Sequence, residues 1–435
     1  MRATLIVQDD TDTRFYYVIA SGTVTYFIAY KGGASRDVGT ATSGDSFGDL
    51  ALMYDAPRAA TVVAKTDCVL YRLDGETICF VLSRDDFEKH LGDLREILEA
   101  HYRQLEAKKA ENTITFEDLN VLCTLGTGQF GRVKLVEYKR IKKTYAMKCI
   151  GKQALSKSKT EIGHLQNEVN VMKVCDSPFL LRLVKTLIDS HSFYMILELC
   201  QGGELFSVLT AAENGRIPES HALFYGSCVL MGLEHLHQHG IVYRDLKPEN
   251  LMLDEYGYIR IVDFGFAKFV KGKTYTLCGT PDYLAPEIIT RKGHNRAVDV
   301  WAFGVLLYEL VAGKSPFSVP NPSHGSAMYE NILALKYSCP KLFSKDLTDL
   351  VKKILVVKVE SRLGMGKTGW NSIKQHKFFN TVNFERLQKK ALPAPFRPTI
   401  GDAKDTSNFD AYDEADDPPP FELPALDDLV RGLRL

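Results

Sequence analysis

A chain of 435 residues has room for two or three domains with substantial cores. Its 54 Lys+Arg balance 54 Asp+Glu within an ordinary 45% hydrophobic and 25% charged composition, so no global field selects nucleic acid or an anionic membrane as partner. No apolar run approaches the roughly 20 residues that cross a bilayer. Nine scattered cysteines without a CxxC pair argue for reduced thiols in a cytoplasmic protein, against a disulfide frame or a zinc site.

The first ten residues turn acidic before a signal-peptide apolar core develops. Residues 15–19 and 24–28 read as β-strands separated by Gly22, and the β-rich pattern continues to about residue 80, with Gly32-Gly33 as a turn. Within it stands Phe47-Gly48-Asp49-Leu50-Ala51-Leu52-Met53-Tyr54-Asp55-Ala56-Pro57-Arg58-Ala59-Ala60-Thr61-Val62. A short helix beginning near Gly48 would aim free amides at a phosphate, and Arg58 would add a guanidinium pair. From Arg84 to about Ala110 the pattern becomes a charged helix, with Leu91, Leu94, Ile97, Leu98 and Tyr102 at helical spacing. Residues 108–112 read as a polar linker, and β-formers resume near Phe116.

Leu125-Gly126-Thr127-Gly128-Gln129-Phe130-Gly131-Arg132-Val133 is a glycine-rich hairpin whose amides can approach phosphates without a Cβ in the way. Alone, GxGxxG is a weak signal. A strand ending Tyr145-Ala146-Met147-Lys148 then delivers a lysine from an apolar context, and the next helix offers Glu168 as its partner, or Glu161 as a surface charge. Helical patterns dominate after Glu161. Tyr243-Arg244-Asp245-Leu246-Lys247-Pro248-Glu249-Asn250 and Asp263-Phe264-Gly265 follow. They offer a carboxylate for an attacking hydroxyl and oxygen ligands for Mg²⁺, the groups that phosphoryl transfer from ATP needs. The tail from about residue 390 is rich in Pro and Asp, and residues 416–420 should be extended and mobile unless docked.

In this order the motifs from 116 to about 379 resemble the eukaryotic protein kinases, which implies a bilobal α+β fold using Mg²⁺ and ATP. The resemblance assigns Leu125 through Val133 to the nucleotide phosphates and Lys148, paired with Glu168, to their α- and β-groups. Backbone around Glu198 and Cys200 would meet adenine, with Leu197 behind it. Asp245 would receive the hydroxyl proton, Lys247 neutralise the moving phosphoryl group, and Asn250 and Asp263 hold the metal. Glu287 of Ala285-Pro286-Glu287 would pair with Arg362, and Asp299 would open a helix.

Tyr243 in place of the commoner His, Leu277-Cys278-Gly279-Thr280-Pro281 after Thr276, and Asp405-Thr406-Ser407-Asn408-Phe409-Asp410-Ala411-Tyr412 narrow the resemblance to the group with the cAMP- and cGMP-dependent kinases. In that group a tail aromatic, here Phe409, completes the ATP pocket beside Glu204. Lys247 and Thr280 fit a Ser/Thr acceptor. Glu204, Glu249 and Glu309 would bind basic residues before the acceptor in protein substrates, and Leu277, Pro281 and Leu284 the residue after it. Thr276 would be the phosphosite read by Arg244, with Thr274 and Tyr275 as competitors. Beyond Tyr412 a loose acidic tail is the alternative to a docked one.

The 47–62 string resembles the phosphate-binding cassette of cyclic-nucleotide-binding domains, a β-roll fold. This implies Gly48, Leu50, Ala51 and Arg58 at the cyclic phosphate, Asp49 (where the family usually has Glu) at the ribose, and Tyr102 as a lid over the base. Ala59 falls where cGMP sites typically carry Thr or Ser and cAMP sites Ala. The chain is expected to start inside this domain, lacking its leading helices and first strands. The implied organisation is a partial cyclic-nucleotide-binding domain over 1–106, a linker over 107–115, a kinase domain over 116–379 and a C-terminal tail over 380–435. Sensor and kinase on one chain is the plan of the cGMP-dependent protein kinase family. The expected function is therefore cGMP-dependent phosphorylation of Ser or Thr in basic motifs. A cAMP-responsive kinase, or a constitutively active one with a vestigial sensor, is the alternative, and no arginine-rich pseudosubstrate precedes the kinase. An inactive scaffold would not need Lys148, Asp245 and Asp263 together.

Overall fold

The structure, a computed structural model, describes residues 4–12, 15–29, 35–48, 57–74, 110–111, 113–128, 131–156, 159–319, 325–414, 418–423 and 426. Asp49, Leu50, Ala51, Gln129, Phe130, Tyr102 and the helix expected around it lie outside the described residues. The chain forms two compact units, Met1–Ala110 and Glu111–Leu435.

In the first unit, alternating β-branched and aromatic residues build two antiparallel sheets. Strands β1 (Thr4–Ile6), β2 (Phe15–Ser21), β3 (Thr23–Ile28), β4 (Arg36–Thr42), β5 (Ser46–Phe47), β6 (Thr61–Ala64) and β7 (Val69–Asp74) divide into β1-β6-β3-β4 and β5-β2-β7. Although Gly22 separates β2 from β3 by a single residue, the two strands join different sheets. Ile6, Ile19, Val24, Ala41, Phe47 and Val62 fill the core, with Tyr17 stacked on Phe47.

The second unit begins with a five-stranded antiparallel sheet ordered β11-β12-β10-β9-β8. Its strands are β8 (Leu119–Gly128), β9 (Gly131–Tyr138), β10 (Lys143–Gly151), β11 (Leu183–Ile188) and β12 (Ser192–Leu197). Helices α1 (Lys152–Ser156) and α2 (Lys159–Val174) follow β10. A mainly helical lobe then contains α3 (Leu205–Ala211), α4 (Glu219–Gln238), α5 (Pro286–Ile289), α6 (Ala297–Ala312), α7 (Gly325–Leu333), α8 (Lys345–Ile354), α9 (Trp370–Lys374) and α10 (Phe384–Gln388). Short strands β13 (Ile241–Val242), β14 (Leu251–Leu253), β15 (Ile259–Ile261) and β16 (Lys268–Phe269) carry the loops between α4 and α5. Helix α6 is apolar around almost its whole circumference and is buried accordingly.

Two segments differ from the sequence expectation. Glu111, read as part of a polar linker, is only 3% exposed. Its carboxylate accepts hydrogen bonds from Lys143 Nζ (3.0 Å), Tyr145 Oη (2.9 Å) and both terminal nitrogens of Arg182 (2.8 and 3.1 Å). Such a charge is tolerable inside because both oxygens find donors, two of them cationic. The described residues of the tail beyond Tyr412 (413–414, 418–423 and 426) are docked rather than loose. Arg132 Nη1 donates to the Asp413 carbonyl (2.6 Å), Glu414 accepts from Thr124 N (2.6 Å) and Oγ1 (2.9 Å), Phe421 N donates to Ser190 O (2.9 Å), and Leu426 is fully buried.

Candidate active site

Strands β8 and β9 carry the glycine-rich hairpin, paired down to Gly128 opposite Gly131. A Cβ on Gly131 would stand 1.9 Å from the Cys149 carbonyl oxygen, so no other residue fits without moving β10. Gly126 and Gly128 face open space, as a loop that must admit phosphates requires. On β10, Lys148 lies opposite Val133 of β9 and Met195 of β12. Its ammonium meets Glu168 Oε1 at 2.8 Å, and Glu161 is not its partner. Burial works against the Lys148 charge, but the carboxylates of Glu168 and Asp263 outweigh it and hold the pKa above the ordinary value. The Asp263 charge therefore acts on the lysine as well as that of Glu168.

The catalytic loop is held from below. Asp299, fully buried in the first turn of α6, accepts from Tyr243 N and Arg244 N (both 2.8 Å) and meets His237 Nε2 at 2.7 Å. Tyr243 fixes the next loop by donating its hydroxyl to Val262 O (2.5 Å). Sequence reasoning took Asp299 only as the opening of a helix, since its partners lie 55 to 62 residues away.

On this frame, the Asp245 carboxylate accepts from Asn250 Nδ2 (2.9 Å) and Thr280 Oγ1 (3.1 Å) and has Lys247 Nζ at 3.3 Å. Asn250 spends its amide nitrogen on Asp245, leaving its carbonyl oxygen available. Asp263, at a positive φ of 55°, takes Gly265 N on one oxygen (3.1 Å) and has the other available. Two hard oxygen donors beside a phosphate loop fit Mg²⁺.

Glu204 and Glu249 are exposed and Glu309 is half-buried, its carboxylate accepting from Tyr283 Oη at 2.5 Å. Desolvation, then the charges of Glu249 and Asp410, push the Glu204 carboxyl up. Burial, then Glu249 and Asp282, push Glu309 up despite the Tyr283 bond. The carboxylates therefore share one acidic field centred on Glu249, joined by Asp410, which sequence reasoning did not assign. Of the three apolar residues expected beside it, Leu284 is buried while Leu277 and Pro281 are exposed.

In the segment between, Thr274 is buried, bonded by its hydroxyl to Lys268 Nζ (3.2 Å) and by its backbone to His294. Thr276 is exposed. Arg244 donates from Nε to Phe266 O (2.8 Å), but its Nη1 is buried with no hydrogen-bond partner among the described residues. His294 Nε2 is in the same position, its pKa lowered by burial and then by Arg244. Arg244 Nη1 and His294 Nε2 are thus the buried guanidinium and ring nitrogens left without partners among the described residues in this part of the lobe. Glu287 and Arg362 form the expected bidentate pair at 2.8 and 3.0 Å.

Where β12 leaves the sheet, Cys200 is buried and the Glu198 carboxylate is engaged by Arg182 N (2.9 Å) and Arg260 (3.2 Å). The tail crosses this connection: Asn408 Nδ2 donates to Gln201 O (3.0 Å), and Gln201 Nε2 to Asp402 O (2.9 Å). Phe409, half-buried, follows directly.

In the first unit, Arg58 is 4% exposed and donates to Asp12 O (3.0 Å), Gly48 O (3.0 Å) and Phe15 O (2.9 Å). Each terminal nitrogen still carries a second N–H, which two oxygens of a phosphate can take. Gly48 has φ 92°, and a Cβ there would lie 2.8 Å from Arg58 Nη1. Ala59 is exposed.

Comparison with known proteins agrees with both units. A protein kinase domain model matches residues 119–379, and a cyclic nucleotide-binding domain model matches residues 1–89. The cGMP-dependent protein kinase, isozyme 1, of Drosophila melanogaster is 37% identical over 98% of this chain and 57% of its own length. The cGMP-dependent protein kinase 2 of Rattus norvegicus is 35% identical over 97% of this chain and 59% of its own. The human cAMP-dependent protein kinase catalytic subunit PRKX is 44% identical over 69% of this chain and 83% of its own. The chain therefore spans somewhat more than half the length of the cGMP-dependent relatives it matches.

Proposed function

Because this chain belongs to the protein kinase family and carries a cyclic nucleotide-binding domain ahead of its kinase domain, we propose that it is a cyclic-nucleotide-regulated kinase. It transfers the γ-phosphoryl group of ATP to Ser or Thr in basic protein segments, with cGMP as the activator its architecture favours. The observation that carries the reading is the Asp245 carboxylate, held by Asn250, Thr280 and Lys247, across the cleft from the 2.8 Å Lys148–Glu168 pair.

Lys148, steadied by Glu168, orients the α- and β-phosphates under the glycine-rich hairpin. Asp245 aligns the acceptor hydroxyl and takes its proton as the new O–P bond forms and the bond to ADP breaks. Lys247, beside Asp245, balances the charge spread over the moving phosphoryl oxygens. Asn250 and Asp263 would hold Mg²⁺, which would supply charge neutralisation at the phosphates. The shared acidic field of Glu204, Glu249, Glu309 and Asp410 suits Arg or Lys two and three residues before the acceptor. Ala59 offers no hydroxyl to a guanine amino group, so preference for cGMP over cAMP is expected to be weak.

The test is phosphoryl transfer from Mg·ATP to a basic Ser peptide by the full chain, without nucleotide, with cAMP and with cGMP. Activity should rise with either nucleotide, fall when the peptide bases become Ala, and vanish in a folded Asp263→Ala variant. Retained turnover in that variant, or preference for acidic peptides, overturns the assignment.

A further inference from the structure

Cys175 directly follows α2 and is buried, while His235 and His239 stand one turn apart where α4 ends. One ligand atom from each of the three residues lies within 4.8 Å of the others, and the two imidazoles are 4.6 Å apart, centre to centre. Two further details point to an occupant. His239 Nδ1 lies 2.9 Å from the His235 carbonyl oxygen, which makes Nδ1 the N–H and leaves the Nε2 lone pair available. His235 Nε2 is buried with no hydrogen-bond partner among the described residues, a state native interiors rarely leave unanswered.

We propose that Cys175, His235 and His239 form a Zn²⁺ site. One thiolate and two imidazoles are the donor set this borderline-soft ion takes, with a fourth position for water or a carboxylate. Asp176 follows Cys175 in the chain and is exposed, so its carboxylate is not among the clustered ligand atoms and the fourth position is left to water. Donor atoms around tetrahedral zinc stand roughly 3.3–3.7 Å apart, from bonds of about 2.0–2.3 Å. Closure therefore needs a movement of about 1 Å, within reach of side-chain rotation. Core packing explains a buried Cys175, and helix ends often carry histidine, but neither accounts for the orphaned His235 nitrogen. The bound ion would tie the end of α2, the helix that bears Glu168, to the end of α4, which leads into the catalytic loop. Sequence spacing could not reveal the site, because its ligands come from two elements about sixty residues apart.

The full chain, reduced and stripped of metal, is titrated with Co²⁺ and then Zn²⁺. One equivalent of Co²⁺ should give a thiolate-to-metal absorption band that Zn²⁺ bleaches, and Zn²⁺ should raise the thermal midpoint. Cys175→Ser should abolish the band, and His239→Gln, at an exposed position, should weaken Zn²⁺ binding by at least about tenfold. Absence of the band in the unmodified chain, its survival in Cys175→Ser, or an unchanged Zn²⁺ affinity in His239→Gln overturns the proposal.

Discussion

Thr274 and Thr276 stand two positions apart in one segment, yet they meet opposite environments. The Thr274 hydroxyl is buried against Lys268, whereas Thr276 is exposed, and the buried Arg244 Nη1 has no hydrogen-bond partner among the described residues. A phosphate on Thr276 would answer donors that are costly to leave empty. Thr276→Ala is therefore expected to lose most activity, and mass spectrometry of active enzyme should find phosphate on Thr276; an unmodified Thr276 in fully active enzyme contradicts this. Glu111 makes a second prediction. Burial alone would raise its pKa, but Arg182 and Lys143 reverse that and bring it from 4.5 to about 2. The unfolded chain thus binds more protons between these values, so the stability Glu111 contributes is full above about pH 4.5 and is lost as pH falls toward about 2. Glu111→Gln should flatten that part of the pH–stability curve and cost about 1.5–3 kcal/mol at neutral pH through its charge-assisted hydrogen bonds; an unchanged acid limb would refute the role. The groups around Asp245 were legible in sequence because their spacing is local. Glu111 was not, because the residues that make it a core carboxylate stand 32 to 71 positions away.

Elements with a local period were legible in the same way. The alternation of β2 and β3, the glycine-rich hairpin and the apolar α6 follow from short windows of sequence. Which sheet a strand joins does not, as the separation of β2 from β3 illustrates, because pairing is decided by partners far along the chain. The tail is the extreme case: Glu414 grips Thr124 across 290 positions. Composition alone said disorder. The docked path has a consequence at the ATP site, since Thr124 immediately precedes Leu125 at the root of the hairpin and Phe409 follows the anchor at Gln201. Both Glu414→Ala and Phe409→Ala should raise KM for ATP several-fold while leaving the thermal midpoint nearly unchanged. A KM for ATP matching the unmodified enzyme in both variants would mean that the docked tail takes no part in nucleotide binding.

At the scale of the whole molecule the question is whether the two units act on one another. A nucleotide can activate only by binding the active form more tightly than the inactive one, and where the active form also binds ATP more tightly, occupancy of the ATP site shifts cyclic-nucleotide affinity by the same factor as the reverse. On the proposed reading Arg58 would meet the cyclic phosphate common to cAMP and cGMP, so it could drive such coupling but could not choose between them. The choice passes to positions such as Ala59, whose methyl group forgoes a hydrogen bond worth about 0.5–1.5 kcal/mol. Calorimetry on the full chain should find cAMP and cGMP affinities within about tenfold of each other, and Ala59→Thr should tighten cGMP several-fold while leaving cAMP nearly unchanged. Strong cGMP selectivity unaffected by Ala59→Thr would move the determinant to another contact. The same titrations, repeated with a non-hydrolysable Mg·ATP analogue, should show altered nucleotide affinity if the first unit regulates the second. Identical affinities with and without the analogue, together with full activity in the absence of either nucleotide, would identify a constitutive kinase whose sensor still folds but no longer signals.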